Sequence, residues 1–150
     1  MGLVYDISRS AAVLTAGNDV MTVAAGATRS SRIVSVSVTG LGTASSANEF
    51  GLFRTATLGV TGSAAVVPTP KNSSAGAFSG VVNTAWATQT VVGAALVRFG
   101  VNANGGVWSK TFTDAEKIDV PGGAAAASSL SVRCISGTST VSVTVGIEEF

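Results

Sequence analysis

The sequence is constrained most by an alternation of apolar and polar side chains that runs through residues 130–150. From residue 141 onward the apolar side chains occupy every second position, at Val141, Val143, Val145 and Ile147. Because successive side chains of a β-strand point to opposite faces of a sheet, this spacing predicts a strand with one buried face. Residues 130–134 alternate in the same way and the intervening turn contains Gly137, so we expect the two strands to form a hairpin.

Short segments of the same character recur along the chain between turns rich in Gly, Asn and Ser. The predicted strands cover residues 1–7, 18–24, 32–39, 49–55, 91–101 and 107–112, with a further hairpin about a turn at residues 61–63. No long segment has the spacing of an amphipathic helix, and the capping-box pattern of Thr113 and Glu116 predicts one helical turn at most. About eight short strands predict an all-β fold, an antiparallel β-sandwich, and within that class a jelly roll.

Residues 1–150 are expected to form one domain, because a chain of this length buries a single core. Near its start, Leu3, Tyr5 and Ile7 share one parity of an extended segment. This pattern predicts either a first strand or an N-terminal arm, over residues 1–9, that lies across a neighbouring subunit.

Charged residues make up only 11% of the chain, while hydrophobic residues make up 46%. Soluble domains carry about 25% charged residues, so much of this surface must consist of Ser, Thr, Asn, Gly and Ala. The formal net charge of +1 provides no field that would attract nucleic acid or an anionic membrane, and neither is an expected partner. The chain shows no signal-peptide pattern and no apolar run of about 20 residues, and it is expected to be made in a cytoplasm.

The residue types needed for most catalysis and metal binding are missing. There is no histidine and one cysteine, which excludes a Ser-His-Asp triad and a CxxC metal site. The one acidic cluster, at Asp114, Glu116 and Asp119, includes Lys117 and is interpreted as a solvated rim in preference to a Ca²⁺ site. Cys134 falls on the apolar parity of its strand, which predicts a buried thiol. No enzyme activity, cofactor, metal or small-molecule substrate is therefore expected.

A surface with few charges is easily buried against another protein, because little charge has to be desolvated. The candidate interface residues are Tyr5, Arg9, Arg54, Trp86, Trp108, Ser142 and Thr144. Ser142 and Thr144 lie on the uncharged face of the last predicted strand, which we expect to meet a neighbouring subunit. The two tryptophans have two interpretations. They either pack in the core or an interface, or they stack on a sugar or a nucleobase.

Several turns and strand edges between residues 49 and 149 resemble those of jelly-roll head cement, or decoration, proteins of tailed bacteriophages. The matching segments are Glu49–Arg54, Gly59–Ser63, Pro68–Lys71, Asn102–Gly106 before Trp108, and a Gly-rich link into a Thr/Val strand that ends at Glu148–Glu149. The resemblance implies a structural protein of the virion, often a homotrimer, which binds the outside of an icosahedral capsid and clamps adjacent major capsid protein subunits.

Two alternatives make different demands on the fold. A carbohydrate-binding β-sandwich module of a phage tail or baseplate requires Trp86 or Trp108 to be exposed in a concave site flanked by Asn, Asp or Arg. A small hydrolase requires convergent carboxylates with perturbed pKa values in a cleft.

Overall fold

The structure, a computed structural model, describes residues 2–60, 65–123 and 129–150, and within these ranges it contains strands and turns but no helix. The turn predicted at residues 61–63 lies outside the described residues. The strands are β1 (Leu3–Val13), β2 (Asp19–Ala24), β3 (Ser31–Leu41), β4 (Ala47–Thr57), β5 (Thr69–Pro70), β6 (Val81–Asn83), β7 (Val91–Asn102), β8 (Asn104–Thr111), β9 (Ile118–Val120), β10 (Leu130–Ser136) and β11 (Thr140–Glu149).

The strands form two antiparallel sheets that pack face to face. The first sheet has six strands in the order β5-β1-β11-β3-β8, with β9 also paired to β3. The second sheet has five strands in the order β6-β2-β10-β4-β7. The all-β fold and the antiparallel β-sandwich predicted from the sequence are confirmed.

The first half of the chain pairs with the second half in reverse order. β1 pairs with β11, β2 with β10, β3 with β8, and β4 with β7. Successive pairs fall alternately in the first and the second sheet. The chain therefore resembles one long antiparallel hairpin that is folded over the core. Within each sheet the two strand pairs are joined side by side, by β11–β3 in the first sheet and by β10–β4 in the second.

The predicted C-terminal hairpin is wrong, although both of its strands exist. β10 pairs with β2 and β4 in the second sheet, whereas β11 pairs with β1 and β3 in the first. The intervening turn, in which Gly137 has a φ of 115°, carries the chain from one sheet to the other. The two strands therefore contribute apolar side chains to the core from opposite sides.

The core lies between the sheets and is filled by the parities that the alternation predicts. The apolar positions of β11 are all buried, at Val141, Val143, Val145 and Ile147. The second sheet contributes Phe50 and Leu52 from β4 and Leu130 and Val132 from β10. Apolar burial of this kind stabilises a fold by about 25 cal/mol per Å² of surface removed from water.

The first residues of the chain belong to this core. Residues 3–9 form the start of β1, which pairs with β11 on one side and with β5 on the other. An arm lying over a neighbouring subunit therefore does not describe residues 3–9. Tyr5 and Ile7 are both fully buried between the sheets.

The turn predicted at residues 113–117 is formed, but it does not extend into a helix. Glu116 Oε2 accepts a hydrogen bond from the Thr113 N–H at 3.3 Å, as a capping box requires. The Glu116 and Lys117 N–H groups both donate to Thr113 O, but the chain then enters β9 at Ile118. The box therefore stabilises an isolated turn, because β9 pairs with β3 before a second helical turn can begin.

The thiol of Cys134 is fully buried in β10, as its parity predicts. Burial raises the pKa of this thiol, so little of the reactive thiolate is present at neutral pH. We expect the folded protein to react with an aromatic disulfide reagent at least about a hundredfold more slowly than the chain unfolded in guanidinium chloride. Thiol release followed by absorbance measures both rates, and equal rates would show that the β10–β11 turn opens freely.

Candidate interaction surface

Ser142 and Thr144 lie on the solvent side of the first sheet, within a surface made of small hydroxyl side chains. Thr144 pairs with Ser8 on β1 and with Ser37 on β3, and the Ser8 and Thr144 hydroxyl oxygens are 3.1 Å apart. The surface, here called the Ser/Thr face, consists of Ser8, Ser35, Ser37, Thr39, Ser109, Thr111, Ser142 and Thr144. Its members carry no charge, and it is bordered by Asp6, which pairs with Gly146 on the same side and forms an ion pair with Lys71 at 3.2 Å.

The edge strands β7 and β8 carry exposed apolar side chains. Val107 pairs with Thr39 and is 66% exposed, while Val91 and Leu96 of the neighbouring strand β7 are 58% and 46% exposed. β7 is 12 residues long, contains one charged side chain, Arg98, and contains no proline. It is the last strand of the second sheet, so its outer row of N–H and C=O groups has no strand partner among the described residues.

Trp108 anchors β8 at this edge. Its ring stacks on Phe99 of β7 at a centroid distance of 3.7 Å and an angle of 6°. Phe99 in turn stacks on Phe50 of β4 at 5.6 Å. These three rings, here called the aromatic stack, run from the buried core to the half-exposed indole and connect the two sheets.

Trp86 lies in the segment between β6 and β7, which covers the outer side of the second sheet. Its indole Nε1–H donates to Thr22 Oγ1 of β2 at 3.0 Å. A Cβ built on Gly59 would lie 2.4 Å from the indole ring, so a residue without a side chain is needed there. One face of each tryptophan is therefore covered, Trp86 by Gly59 and Trp108 by Phe99. Both indoles are half-exposed, so a sugar could stack only on the opposite face of either ring.

The other three candidate interface residues make contacts within the fold. Tyr5 is 0% exposed and its hydroxyl donates to Gly76 O at 2.9 Å, so its assignment to an interface is wrong. Arg54 Nη1 donates to Asp119 O and links β4 to β9. Arg9 Nη1 donates to Val20 O at 2.6 Å and also to Thr84 O.

The most deeply buried ion pair was not predicted from the sequence. Asp19 and Arg133, whose side chains are 1% and 14% exposed, are joined by an Oδ1–Nε distance of 2.8 Å. Asp19 Oδ2 accepts hydrogen bonds from the N–H and the hydroxyl of Thr90 at 3.0 and 2.6 Å, and Ser131 Oγ donates to Oδ1. This cluster fastens the segment before β7 to β2 and β10.

Two carboxylates of the acidic cluster, those of Asp114 and Glu116, form ion pairs with lysines. Asp114 Oδ1 lies 2.7 Å from Lys117 Nζ, and Glu116 Oε1 lies 3.1 Å from Lys110 Nζ. Hydrogen bonds from these lysines lower the pKa of both carboxyl groups. Within residues 2–60, 65–123 and 129–150, no three His, Cys, Asp or Glu side chains are grouped so that they could hold a metal ion.

In the part of the chain that the structure describes, no helix is long and apolar enough to cross a membrane. No protein family, no curated protein and no solved structure matches the chain. The chain is therefore assigned by its structure alone, as an antiparallel β-sandwich.

Proposed function

We propose that this protein is a structural cement, or decoration, protein that binds the outside of an icosahedral phage capsid and stabilises adjacent major capsid protein subunits. The proposal rests on the Ser/Thr face, whose members are all uncharged, together with the exposed apolar side chains Val91, Leu96 and Val107 on the edge strands β7 and β8. Its site of action is then the virion surface, after synthesis in the host cytoplasm.

The chemistry of this surface suits lasting contact with protein. Burial of hydroxyl and apolar groups avoids the cost of removing charges from water. Natural sandwiches protect long edge strands with charges, prolines or bulges, because a free edge pairs with other chains. The pairing of β7 with β4 is irregular between Leu52 and Thr57, but β7 carries one charge and no proline over 12 residues. This low charge, with the exposed side chains of Val91 and Leu96, supports a role in which its edge is covered by a partner.

The nested pairing of the strands supports the finer assignment of a jelly roll. In that fold eight strands form two sheets joined by Greek-key connections. The pairs β1–β11, β2–β10, β3–β8 and β4–β7 supply eight strands, with four in each sheet. β5 and β6 then extend the sheets at the edge opposite β7 and β8.

A protein of this kind stabilises the capsid by binding alone, without catalysis. A ligand that binds the assembled shell and not its free subunits stabilises the shell by its binding free energy at each site. We propose that the protein does this as a homotrimer, with the edge of β7 at the contact between copies and the Ser/Thr face against the capsid.

The experiment is sedimentation of the purified protein with capsids that were assembled without it. We expect saturable binding of the protein to the pellet and a higher rupture temperature of the decorated capsids. Light scattering of the free protein measures its oligomeric state in the same preparation. Protein that stays in the supernatant at saturating concentration would contradict the capsid role, and a monomer at every concentration would contradict the trimer.

Two matched lysine substitutions test which surface is used. Leu96→Lys places a charge on the edge of β7, and Val67→Lys places the same charge at a site that is 84% exposed beside β6, on the opposite edge of the second sheet. Because a charge buried without a partner is costly, Leu96→Lys should weaken trimer formation at least about tenfold while Val67→Lys leaves it unchanged. Equal effects of the two substitutions would exclude β7 as the contact.

A further inference from the structure

A polar pocket opens at one end of the sandwich, away from the Ser/Thr face. It has a volume of about 110 Å³ and is lined by Arg9, Asn18, Trp86 and Gln89, together with the chain at Leu14 and Thr84. Arg9 of β1 pairs with Val143 of β11 and so shares the inward parity of the first sheet. Its side chain therefore extends across the end of the core toward β2 and the segment after β6. We call this cavity the Arg9 pocket.

The guanidinium of Arg9 is held in place by one of its nitrogens. Nη1 donates to the carbonyl oxygens of Val20 and Thr84, which uses two of the five guanidinium N–H groups. Within the described part of the chain, Nε and Nη2 donate to no acceptor and Arg9 forms no ion pair. These two nitrogens form the side of the guanidinium that binds the two oxygens of a carboxylate in parallel.

The charge of Arg9 is not balanced inside the pocket. Asp19 is the one carboxylate that borders it, and both of its oxygens are already bonded to Arg133, Thr90 and Ser131. Burial lowers the pKa of Arg9, as expected for a cation that is partly desolvated. An anionic group in the pocket would offset this cost.

The size of the pocket limits what can enter. Sites for drug-sized ligands have volumes of about 300–1,000 Å³, and the Arg9 pocket, at about 110 Å³, is well below that range. A carboxylate with a short carbon stem fits the volume. The Trp86 ring supplies an apolar wall for such a stem, and the side-chain amide of Asn18, which makes no hydrogen bond within the described residues, supplies a further donor.

We propose that the Arg9 pocket binds a carboxylate group, with Nε and Nη2 of Arg9 as the bidentate donors and the Asn18 amide as an additional donor. The carboxylate belongs either to a small free acid or to an acidic side chain of a docked protein. The inference rests on the pocket alone and is independent of the proposed capsid role.

The test is an NMR titration of the whole protein with sodium acetate at constant ionic strength. The Arg9 Nε–H and Trp86 Nε1–H signals should shift together and saturate with a dissociation constant on the order of millimolar, as expected for a ligand of so few atoms. Sodium chloride and sodium phosphate serve as comparison salts. An equal shift with chloride, or tighter binding of phosphate than of acetate, would overturn the assignment to a carboxylate.

Variants locate the binding and identify the source of the carboxylate. Arg9→Lys keeps the charge but loses the paired donors, and should weaken acetate binding at least about tenfold, whereas Arg98→Lys, on the exposed part of β7, should not. Asn18→Ala leaves the Arg9 contacts in place and should weaken binding several-fold, which preserves the test if Arg9→Lys fails to fold.

A glutamate blocked at both backbone ends that binds at least about tenfold more tightly than acetate identifies a protein side chain as the source. Equal or weaker binding of the blocked glutamate identifies a free acid, and unchanged acetate affinity in both pocket variants would overturn the proposal.

Discussion

Replacement of Asp19 by alanine is expected to lower the free energy of unfolding by about 3–5 kcal/mol. The substitution leaves Arg133, whose side chain is 14% exposed, without its carboxylate. It also removes the acceptor of the Thr90 N–H and hydroxyl and of the Ser131 hydroxyl. The cost is large because a buried cation and several buried donors lose their partner together. Urea unfolding followed by circular dichroism measures the change.

Asp114→Ala is the matched control, because it also removes an aspartate that is paired with a cation. Asp114 lies 2.7 Å from Lys117 but its side chain is 92% exposed, so water and salt replace the contact. We expect no measurable shift of its unfolding midpoint. A second variant, Asp19→Leu combined with Arg133→Met, removes both charges and should recover part of the stability lost in Asp19→Ala. If Asp19→Ala behaved like Asp114→Ala, solvent would have to reach the Asp19 cluster.

The period of two in the sequence predicts which side chains are buried, but it does not predict which strands pair. Val143 and Cys134 are buried as their parity requires, yet β10 and β11 lie in different sheets. A tight hairpin and a crossing between two sheets can both use a short turn with a glycine. The partners of β11 lie near the start of the chain and in β3, and local alternation carries no information about such distant pairing.

The same limit applies to the candidate site. The Ser142 and Thr144 face was predicted because it is a property of one strand. The Asp19 cluster was not predicted, because Thr90 and Arg133 are 71 and 114 residues away from Asp19 in sequence. Tyr5 was assigned to an interface because its strand resembled an arm, and pairing with both β11 and β5 buries it instead.

Replacement of Phe99 by alanine should be comparably destabilising and should also change the environment of Trp108. Phe99 is the middle ring of the aromatic stack, between Phe50 and Trp108. Deletion of a buried phenylalanine side chain costs about 3–5 kcal/mol, and stacked rings contribute about 0.5–1.5 kcal/mol more. With Trp86 replaced by phenylalanine, Trp108 is the sole tryptophan and its fluorescence can be read directly. Its emission should shift to longer wavelength as water reaches the ring face that Phe99 covers.

Phe112→Ala separates the two effects, because it deletes the same side chain from another part of the core. Phe112 is 4% exposed and lies beside Lys110, but it forms no ring contact with Trp108 among the described residues. We expect a similar loss of stability with no shift of Trp108 emission in the folded state. Since Phe99 connects β7 to β8, its loss should also loosen the edge proposed as the contact between copies. An unchanged Trp108 spectrum in Phe99→Ala would mean that the stack contributes packing alone and does not hold this edge in place.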